Sequence, residues 1–195
     1  MNSQQCDRRL IFYAMKTILS PLCATVLVLS SQLANADQWN LGLGYGKQPS
    51  ANPDQNNSSF DLSYTFYRTS LFDCDNWEFQ LGAGYSYLWT DADINEDLHL
   101  FSIKTTLRYY FLERDWIRPF LNVTIAPAYM TEDSLGYRRQ GSNFIFDDHF
   151  GVGAYFGENK DWEVMFSYRH LSNANLSKPN PGIDIPFNLS IGKKF

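Results

Sequence analysis

Apolar and polar residues alternate with a period of two along eight separate segments, and this pattern constrains the fold more than any other feature. Such alternation over short stretches predicts half-buried β-strands rather than helices. The first segment shows it clearly, with apolar residues at Trp39, Leu41, Leu43 and Tyr45. The other segments are centred on residues 60–66, 77–89, 101–111, 121–129, 150–156, 162–168 and 187–195. We therefore predict an all-β fold of eight strands.

The amino-acid composition suggests what these strands face. The chain of 195 residues contains 15 Phe, 12 Tyr and 5 Trp, yet its mean hydropathy is only −0.34. This hydropathy excludes a bundle of membrane helices, and the aromatic content excludes a disordered chain. The net charge of −5 argues against a nucleic-acid partner, because nucleic-acid binders usually carry a basic face. A soluble domain would bury so many rings, whereas a membrane protein could expose them to lipid.

Three features favour a membrane barrel over a soluble β-sandwich, which would also alternate. The polar positions carry Gly, Ser, Thr and charges such as Lys104 and Glu163, which suit a small polar lumen. Aromatic residues cluster at segment ends, and the chain itself ends on Phe195. Only a closed barrel satisfies every backbone group of a sheet in lipid. We predict an eight-stranded antiparallel transmembrane β-barrel of the bacterial outer membrane.

The first 36 residues are predicted to be a signal peptide. A basic start is followed by an apolar run and then by Ala34-Asn35-Ala36, which are the three parts of a secretory signal. Met15 could serve as the true start. Residues 37–195 then form a single barrel domain with both ends in the periplasm. The predicted outer loops, which are longer on average than the turns, are 47–58, 90–99, 131–144 and 173–185, and the predicted periplasmic turns are 68–76, 112–118 and 157–161.

No metal or organic cofactor is expected. The spacing Asp91-x-Asp93-x-Asn95-x-Asp97 is similar to the start of a calcium loop. However, Glu96 stands where such a loop requires Gly, and Ser102 stands where its closing Glu belongs. We interpret this stretch as an acidic surface loop.

The seventh segment changes character at its outer end. Its lipid-facing parity continues from Tyr168 to His170 and Ser172, so these two side chains are expected side by side on one surface. A serine nucleophile and its general base need this proximity, together with a third group that orients the imidazole. Asp184 could fold back from the following loop to supply that group. Alternatively, the polar residues simply mark the end of the lipid zone.

Residues 170–184 read HLSNANLSKPNPGID, and this segment closely resembles the active-site segment of the lipid A 3-O-deacylase (PagL-like) family. The family pattern runs His-x-Ser-Asn-Ala, then Pro-Asn-x-Gly-Ile and a Glu. Residues 143–153, which contain NFxFDD followed by GxG, are also similar to the family. The resemblance is strong over residues 141–195, and upstream it rests on length and strand count. It implies an outer-membrane barrel with a Ser-His-acid triad on its lipid-facing surface.

The resemblance also implies roles for individual residues. Ser172 takes the place of the nucleophile and His170 that of the base, while Asp184 stands where the family usually has Glu. Asn180 matches a family Asn associated with the oxyanion hole, and the backbone around Asn173–Asn175 could add donors. The family has Gly at the position of Asn175. We further expect Lys178 and Arg169 to lie near the lipid A phosphates.

The leading hypothesis is therefore an outer-membrane esterase that removes the ester-linked 3-hydroxyacyl chain at position 3 of lipid A. Its expected partners are lipid A (lipopolysaccharide) and outer-membrane lipids, and a homodimer is possible. One alternative is a non-enzymatic structural or adhesive barrel, in which His170 and Ser172 are incidental. A lipid A acyltransferase is a third option, because it would share the barrel and the substrate.

Overall fold

A computed structural model describes residues 37–72 and 74–195, so the predicted signal peptide lies outside the described residues. The described part of the chain forms strands and connecting loops. The strands are β1 (Gln38–Lys47), β2 (Asn56–Leu71), β3 (Cys74–Thr90), β4 (Asp97–Tyr110), β5 (Ile117–Ile125), β6 (Pro127–Met130), β7 (Ser134–Leu135), β8 (Arg138–Arg139), β9 (Phe144–Phe156), β10 (Trp162–Ser172) and β11 (Ile183–Lys194).

The sheet closes on itself because β1 pairs with both β2 and β11. Pairing continues antiparallel around the ring through β3, β4, β5, β9 and β10, and β10 returns to β11. Strands β5 and β6 together occupy one position, since both pair with β4 and β9. The predicted eight-stranded antiparallel barrel is confirmed.

The fifth predicted strand is interrupted rather than continuous. Ala126 lies between β5 and β6, and its carbonyl accepts a hydrogen bond from the Asp147 amide at 2.8 Å. The next residue, Pro127, has no N–H to give to the ladder, which explains a break at this point. The loop that follows also contains the β7–β8 hairpin, which the alternation pattern does not predict.

The barrel is apolar outside and polar inside, as predicted. The outward face of β1 exposes Trp39, Leu41, Leu43 and Tyr45, and the other barrel strands expose similar side chains. This distribution is inverted relative to a soluble barrel and is typical of barrels that cross a bilayer. Among the described residues, no helix has the length and apolar character needed to span a membrane.

Buried ion pairs lie in the lumen. Arg108 contacts Glu163 through two hydrogen bonds of 2.6 and 3.0 Å. Arg169 contacts Asp147 through bonds of 2.6 and 3.0 Å and reaches Asp61 at 2.8 Å. Because a buried charge is tolerated only when it is paired, these contacts explain how charged residues occupy the polar parity of the strands.

The two ends of the barrel differ. The long-loop end carries loops 48–55, 91–96, 131–143 and 173–182, whereas the short-turn end carries the connection from β2 to β3 and the turns 111–116 and 157–161. At the short-turn end, a hydrogen bond from Lys160 lowers the pKa of the Glu113 carboxyl. At the long-loop end, a buried apolar cluster includes Leu171 and Ile183. These two residues anchor the adjoining ends of β10 and β11.

Candidate active site

Strand parity places His170 and Ser172 on the outer surface of the barrel. Phe166 and Tyr168 face outward on β10, and His170 and Ser172 continue that face at its long-loop end. Leu171, which lies between them, is completely buried in the apolar cluster. The predicted juxtaposition of His170 and Ser172 on one face therefore agrees with the structure.

Asp184 lies opposite His170 on the neighbouring strand β11, and the two are direct register partners. Nδ1 of His170 is 2.7 Å from Oδ1 of Asp184. An ionised carboxylate only accepts hydrogen bonds, so this contact assigns the ring proton to Nδ1 and leaves Nε2 as an acceptor. The structure thus corrects the expected placement, because Asp184 reaches His170 from within a strand and not from the loop.

A β-bulge in β11 turns Asp184 toward His170. Ser167 pairs with Asn188, and Arg169 pairs with Ile185. Over this interval β10 advances by two residues and β11 by three. The one extra residue reverses the parity of β11, so that Phe187 and Asp184 both face outward. Pro186 lies inside this bulge, where a missing N–H is tolerated. Asn188 donates to the carbonyl of Ile185 at 2.7 Å and so holds the bulge in place.

Two further side chains fix the Asp184 carboxylate. Gln48 Nε2 donates to Oδ2 at 2.8 Å, and the Tyr168 hydroxyl donates to Oδ1 at 2.5 Å. Gln48 also accepts a hydrogen bond of 2.8 Å from the backbone amide of Asp184. Neither residue is predicted in this role from the sequence. Tyr168 shares a face with His170 and could have been found from parity, whereas Gln48 comes from a distant loop and carries no sequence signal.

Gly182 packs against the imidazole. Its φ is +72°, and a Cβ atom at this position would lie 2.7 Å from Cε1 of His170. Only glycine combines this left-handed backbone with such a close approach. The Gly of the family pattern is therefore explained by its contact with the ring.

Ser172 lies two residues beyond His170 and is half-buried. Within the described residues its hydroxyl makes no side-chain hydrogen bond to His170. Alternate residues of a strand are separated by roughly 7 Å along the backbone, which flexible side chains can bridge. Catalytic hydrogen bonds are often loose without substrate and tighten when it binds.

The loop after β10 presents unused backbone donors. Ala174 and Asn175 have φ values of 52° and 62°, and within the described residues neither amide N–H has an acceptor. Consecutive amides in such a turn form a concave site for an anion. The left-handed φ also explains why the family Gly position tolerates Asn175, since Asn adopts this region more readily than most residues.

Asn173 and Asn180 organise the same loop. The Asn173 backbone amide donates to Oδ1 of Asn180 at 3.0 Å, and the Asn180 NH₂ group donates to Oδ1 of Asn175 at 3.4 Å. The Asn173 side chain is buried and donates to Ser177 O and Oγ, both at 2.9 Å, and to the Gln140 carbonyl. The N–H groups of Asn173 already donate to acceptors within the protein. The expectation that Asn173 donates directly to the oxyanion is therefore wrong, and Asn173 instead stabilises the loop.

The two expected phosphate-binding cations differ in position. Lys178 is exposed on the loop beside the site. Arg169 points in the opposite direction from His170 and is completely buried in the lumen with Asp61 and Asp147. The prediction that Arg169 meets lipid phosphates is therefore wrong, since adjacent residues of a strand face opposite sides.

Comparison with known proteins gives these residues a family context. The family model described as lipid A 3-O-deacylase (PagL) matches residues 58–192, which include every predicted site residue. The chain belongs to this family. The match begins after Gln48, so Gln48 contacts Asp184 from outside the matched segment.

Two curated relatives are both called lipid A deacylase PagL. The protein of Pseudomonas aeruginosa is 33% identical over 102 residues, covering 52% of this chain and 57% of the relative. The protein of Bordetella bronchiseptica is 32% identical over 108 residues, covering 54% of this chain and 56% of the relative. The chain thus spans little more than half the length of the curated relatives it matches.

Solved structures support the barrel fold. The crystal structure of the outer membrane enzyme PagL has a TM-score of 0.60 at 22% identity, covering 80% of this chain and 99% of that one. The crystal structure of Neisserial surface protein A has a TM-score of 0.50 at 13% identity, covering 82% and 97%. At these identities the likeness concerns the fold alone.

Proposed function

We propose that this protein is an outer-membrane enzyme that hydrolyses the 3-hydroxyacyl ester at position 3 of lipid A. The observation that carries the proposal is the 2.7 Å contact between His170 and Asp184 on the outer barrel surface, with Ser172 on the same face. Membership of the PagL family and the names of the curated relatives supply the substrate class.

In the proposed mechanism, Ser172 Oγ attacks the ester carbonyl while Nε2 of His170 takes its proton. Asp184 holds the imidazole through Nδ1 and stabilises the imidazolium that forms. The tetrahedral oxyanion is stabilised by the amides of Ala174 and Asn175 and by the NH₂ group of Asn180. His170 then returns the proton to the leaving sugar hydroxyl, and water hydrolyses the acyl-enzyme.

The position of the site suits a membrane lipid as substrate. His170 and Ser172 lie where the apolar outer surface meets the long-loop end, so an acyl chain can lie along the barrel while the sugar remains at the polar interface. A lipid that diffuses laterally reaches such a site without entering the lumen. Lys178 is placed to contact a lipid A phosphate, which it would bind as a point charge.

The test is an assay of purified protein in detergent with lipid A as substrate. We expect wild type to release free 3-hydroxy fatty acid and Ser172→Ala to release none above background. Ser70→Ala is the matched control, because it removes an exposed hydroxyl at the opposite end of the barrel. Acyl transfer without free acid would indicate an acyltransferase, and no reaction at all would favour a structural barrel. Either result would overturn the proposal.

A further inference from the structure

A second carboxylate faces His170 from the strand opposite Asp184. Asp148 on β9 is a direct register partner of His170, as Asp184 is on β11. Direct partners in an antiparallel pair place their Cβ atoms about 4.5–5.5 Å apart on one face. The imidazole therefore lies between two carboxylates, and among the described residues only Asp184 is hydrogen-bonded to it.

The Asp148 carboxylate has unused hydrogen-bonding capacity. The side chain is half-buried, and Oδ1 is fully buried without any hydrogen-bond donor among the described residues. Asp184, by contrast, receives hydrogen bonds from His170, Tyr168 and Gln48. No side chain among the described residues donates to the Asp148 carboxylate, so the part of it that remains accessible can accept a hydrogen bond from water.

The contact with Asp184 turns Nε2 of His170 to the other side of the ring. Nδ1 is turned toward Asp184 on β11, and the two ring nitrogens point in roughly opposite directions. Gly182 covers the Cε1 edge so closely that it leaves no room for a Cβ atom. Nε2 therefore points away from β11, and Asp148 lies on the strand at that side.

Hydrolysis of an acyl-enzyme requires one water molecule within reach of Nε2. On a lipid-facing surface water is scarce, so a site that retains it would determine whether turnover is completed. We propose that Asp148 binds the hydrolytic water beside His170, and this inference rests on the proposed function. Asp148 is a positioning residue here, since it acts on the water and not on the acyl group.

The step balances as an ordinary ester hydrolysis. One O–H of the water donates to the accessible side of the Asp148 carboxylate, and its other proton moves to Nε2 of His170 as the water oxygen bonds to the acyl carbon. The tetrahedral intermediate collapses and breaks the bond between that carbon and Oγ of Ser172. His170 gives its proton to Oγ, and the 3-hydroxy fatty acid leaves.

The inference is tested with Asp148→Leu, which keeps the branched shape of the side chain and has no acceptor. Purified variants are mixed with lipid A in detergent, and deacylated lipid A and the intact-protein mass are followed over the first turnover and at steady state. We expect a first-turnover burst close to that of wild type, a steady-state rate lowered about tenfold to hundredfold, and accumulation of a hydroxyacyl adduct on Ser172. Added hydroxylamine, a nucleophile that substitutes for water, should discharge the adduct.

Asp148→Asn and Asp97→Leu complete the experiment. The Asn variant keeps an acceptor oxygen and should retain more steady-state activity than the Leu variant. Asp97 is exposed at the long-loop end of β4, so its replacement should leave both steps unchanged. Circular dichroism checks that each variant retains its β-structure, and if the Leu variant does not fold, adduct accumulation is measured on the Asn variant.

Three results would overturn the inference. Equal loss of burst and steady-state rate without an adduct would show that Asp148 acts on His170 or on the fold. Unchanged rates in folded Asp148→Leu would show that Asp148 has no role. A wild-type protein that releases no fatty acid would overturn the proposed function, and the water site with it.

Discussion

The contacts of Asp184 show how an aspartate can stand where the family usually has glutamate. Its side chain is one methylene shorter, yet its Oδ1 lies 2.7 Å from His170 Nδ1 because the two residues are direct partners across β10 and β11. Gln48 and Tyr168 hold the carboxylate in that position. A short acid thus suffices when the backbone brings it opposite the histidine.

We predict that the charge of Asp184 matters more than its length. Asp184→Asn should lower the rate of fatty acid release by about 10³- to 10⁴-fold, because an amide neither selects the Nδ1–H tautomer nor stabilises the imidazolium. Asp184→Glu should remain within about tenfold of wild type, since a small positioning error is tolerated better than a lost charge. The measurement is the release of 3-hydroxy fatty acid, and an Asn variant as active as wild type would contradict the triad.

Gly182→Ala is expected to displace the imidazole. Its Cβ would lie 2.7 Å from Cε1 of His170, so the ring must move and activity should fall about hundredfold. Gly157→Ala is the matched control: Gly157 also has a positive φ, of +98°, but its Cβ would meet no atom closer than 3.4 Å. Both variants should lose similar thermal stability, whereas only Gly182→Ala should lose activity. Equal activity of the two variants would contradict the proposed contact.

At the scale of elements, the bulge in β11 decides which acid reaches the site. Residues 187, 189 and 191 face outward, and uninterrupted alternation would direct Asp184 into the lumen. The extra residue between Ile185 and Asn188 reverses this parity next to His170. The bulge therefore converts a lumen position into a surface position.

Asn188→Ala should weaken this bulge. The variant loses hydrogen bonds to the carbonyls of Ile185 and Ser167, of 2.7 and 3.2 Å. We expect unfolding free energy to fall by about 1–3 kcal/mol and activity to fall about tenfold as Asp184 loses its alignment. Urea unfolding and fatty acid release measure the two effects. Ser190→Ala on the same strand is the control, and unchanged activity in Asn188→Ala would argue against this role.

Much of the fold could be predicted because one face of each strand is apolar. This alternation alone shows which residues of a strand face outward and which face inward. The interruption at Ala126 and the β7–β8 hairpin could not, because short-range alternation does not report where a ladder breaks. His170 and Ser172 follow from parity, and Asp184 from the family resemblance. Gln48, Asp148 and the inward direction of Arg169 depend on cross-strand register, which the sequence alone leaves open.

In the barrel as a whole, the groups that stabilise the fold and the groups of the candidate active site lie in different places. Buried ion pairs and the apolar cluster stiffen the interior, while the proposed reaction takes place on the outer surface. Leu171 and Ile183 connect the buried cluster to the candidate active site. Both are buried in the cluster, and they are sequence neighbours of His170 on β10 and Asp184 on β11. A rigid barrel of this kind can hold a catalytic constellation at the membrane surface without a cleft.

We predict that the same substitution, Leu to Arg, lowers the free energy of unfolding by different amounts at two positions. Leu189→Arg places a charge on the lipid-facing surface of β11 and should lower unfolding free energy in lipid vesicles by about 2–4 kcal/mol. Leu176→Arg changes an exposed residue of the loop after β10 and should have little effect. Urea unfolding followed by tryptophan fluorescence provides the comparison. Equal stability of the two variants would contradict a lipid-facing position for Leu189.

In the proposed reaction, Ser172 removes an acyl chain from lipid A at the outer surface of the barrel. Its most direct test is mass spectrometry of lipid A from cells that express wild type, Ser172→Ala or His170→Asn at equal levels in the outer membrane. We predict that lipid A from cells with wild type lacks one 3-hydroxyacyl chain and that lipid A from cells with either variant keeps all its chains. Lipid A that keeps all its chains in wild-type cells, or that loses one in Ser172→Ala cells, would show that Ser172 is not the nucleophile of such a reaction.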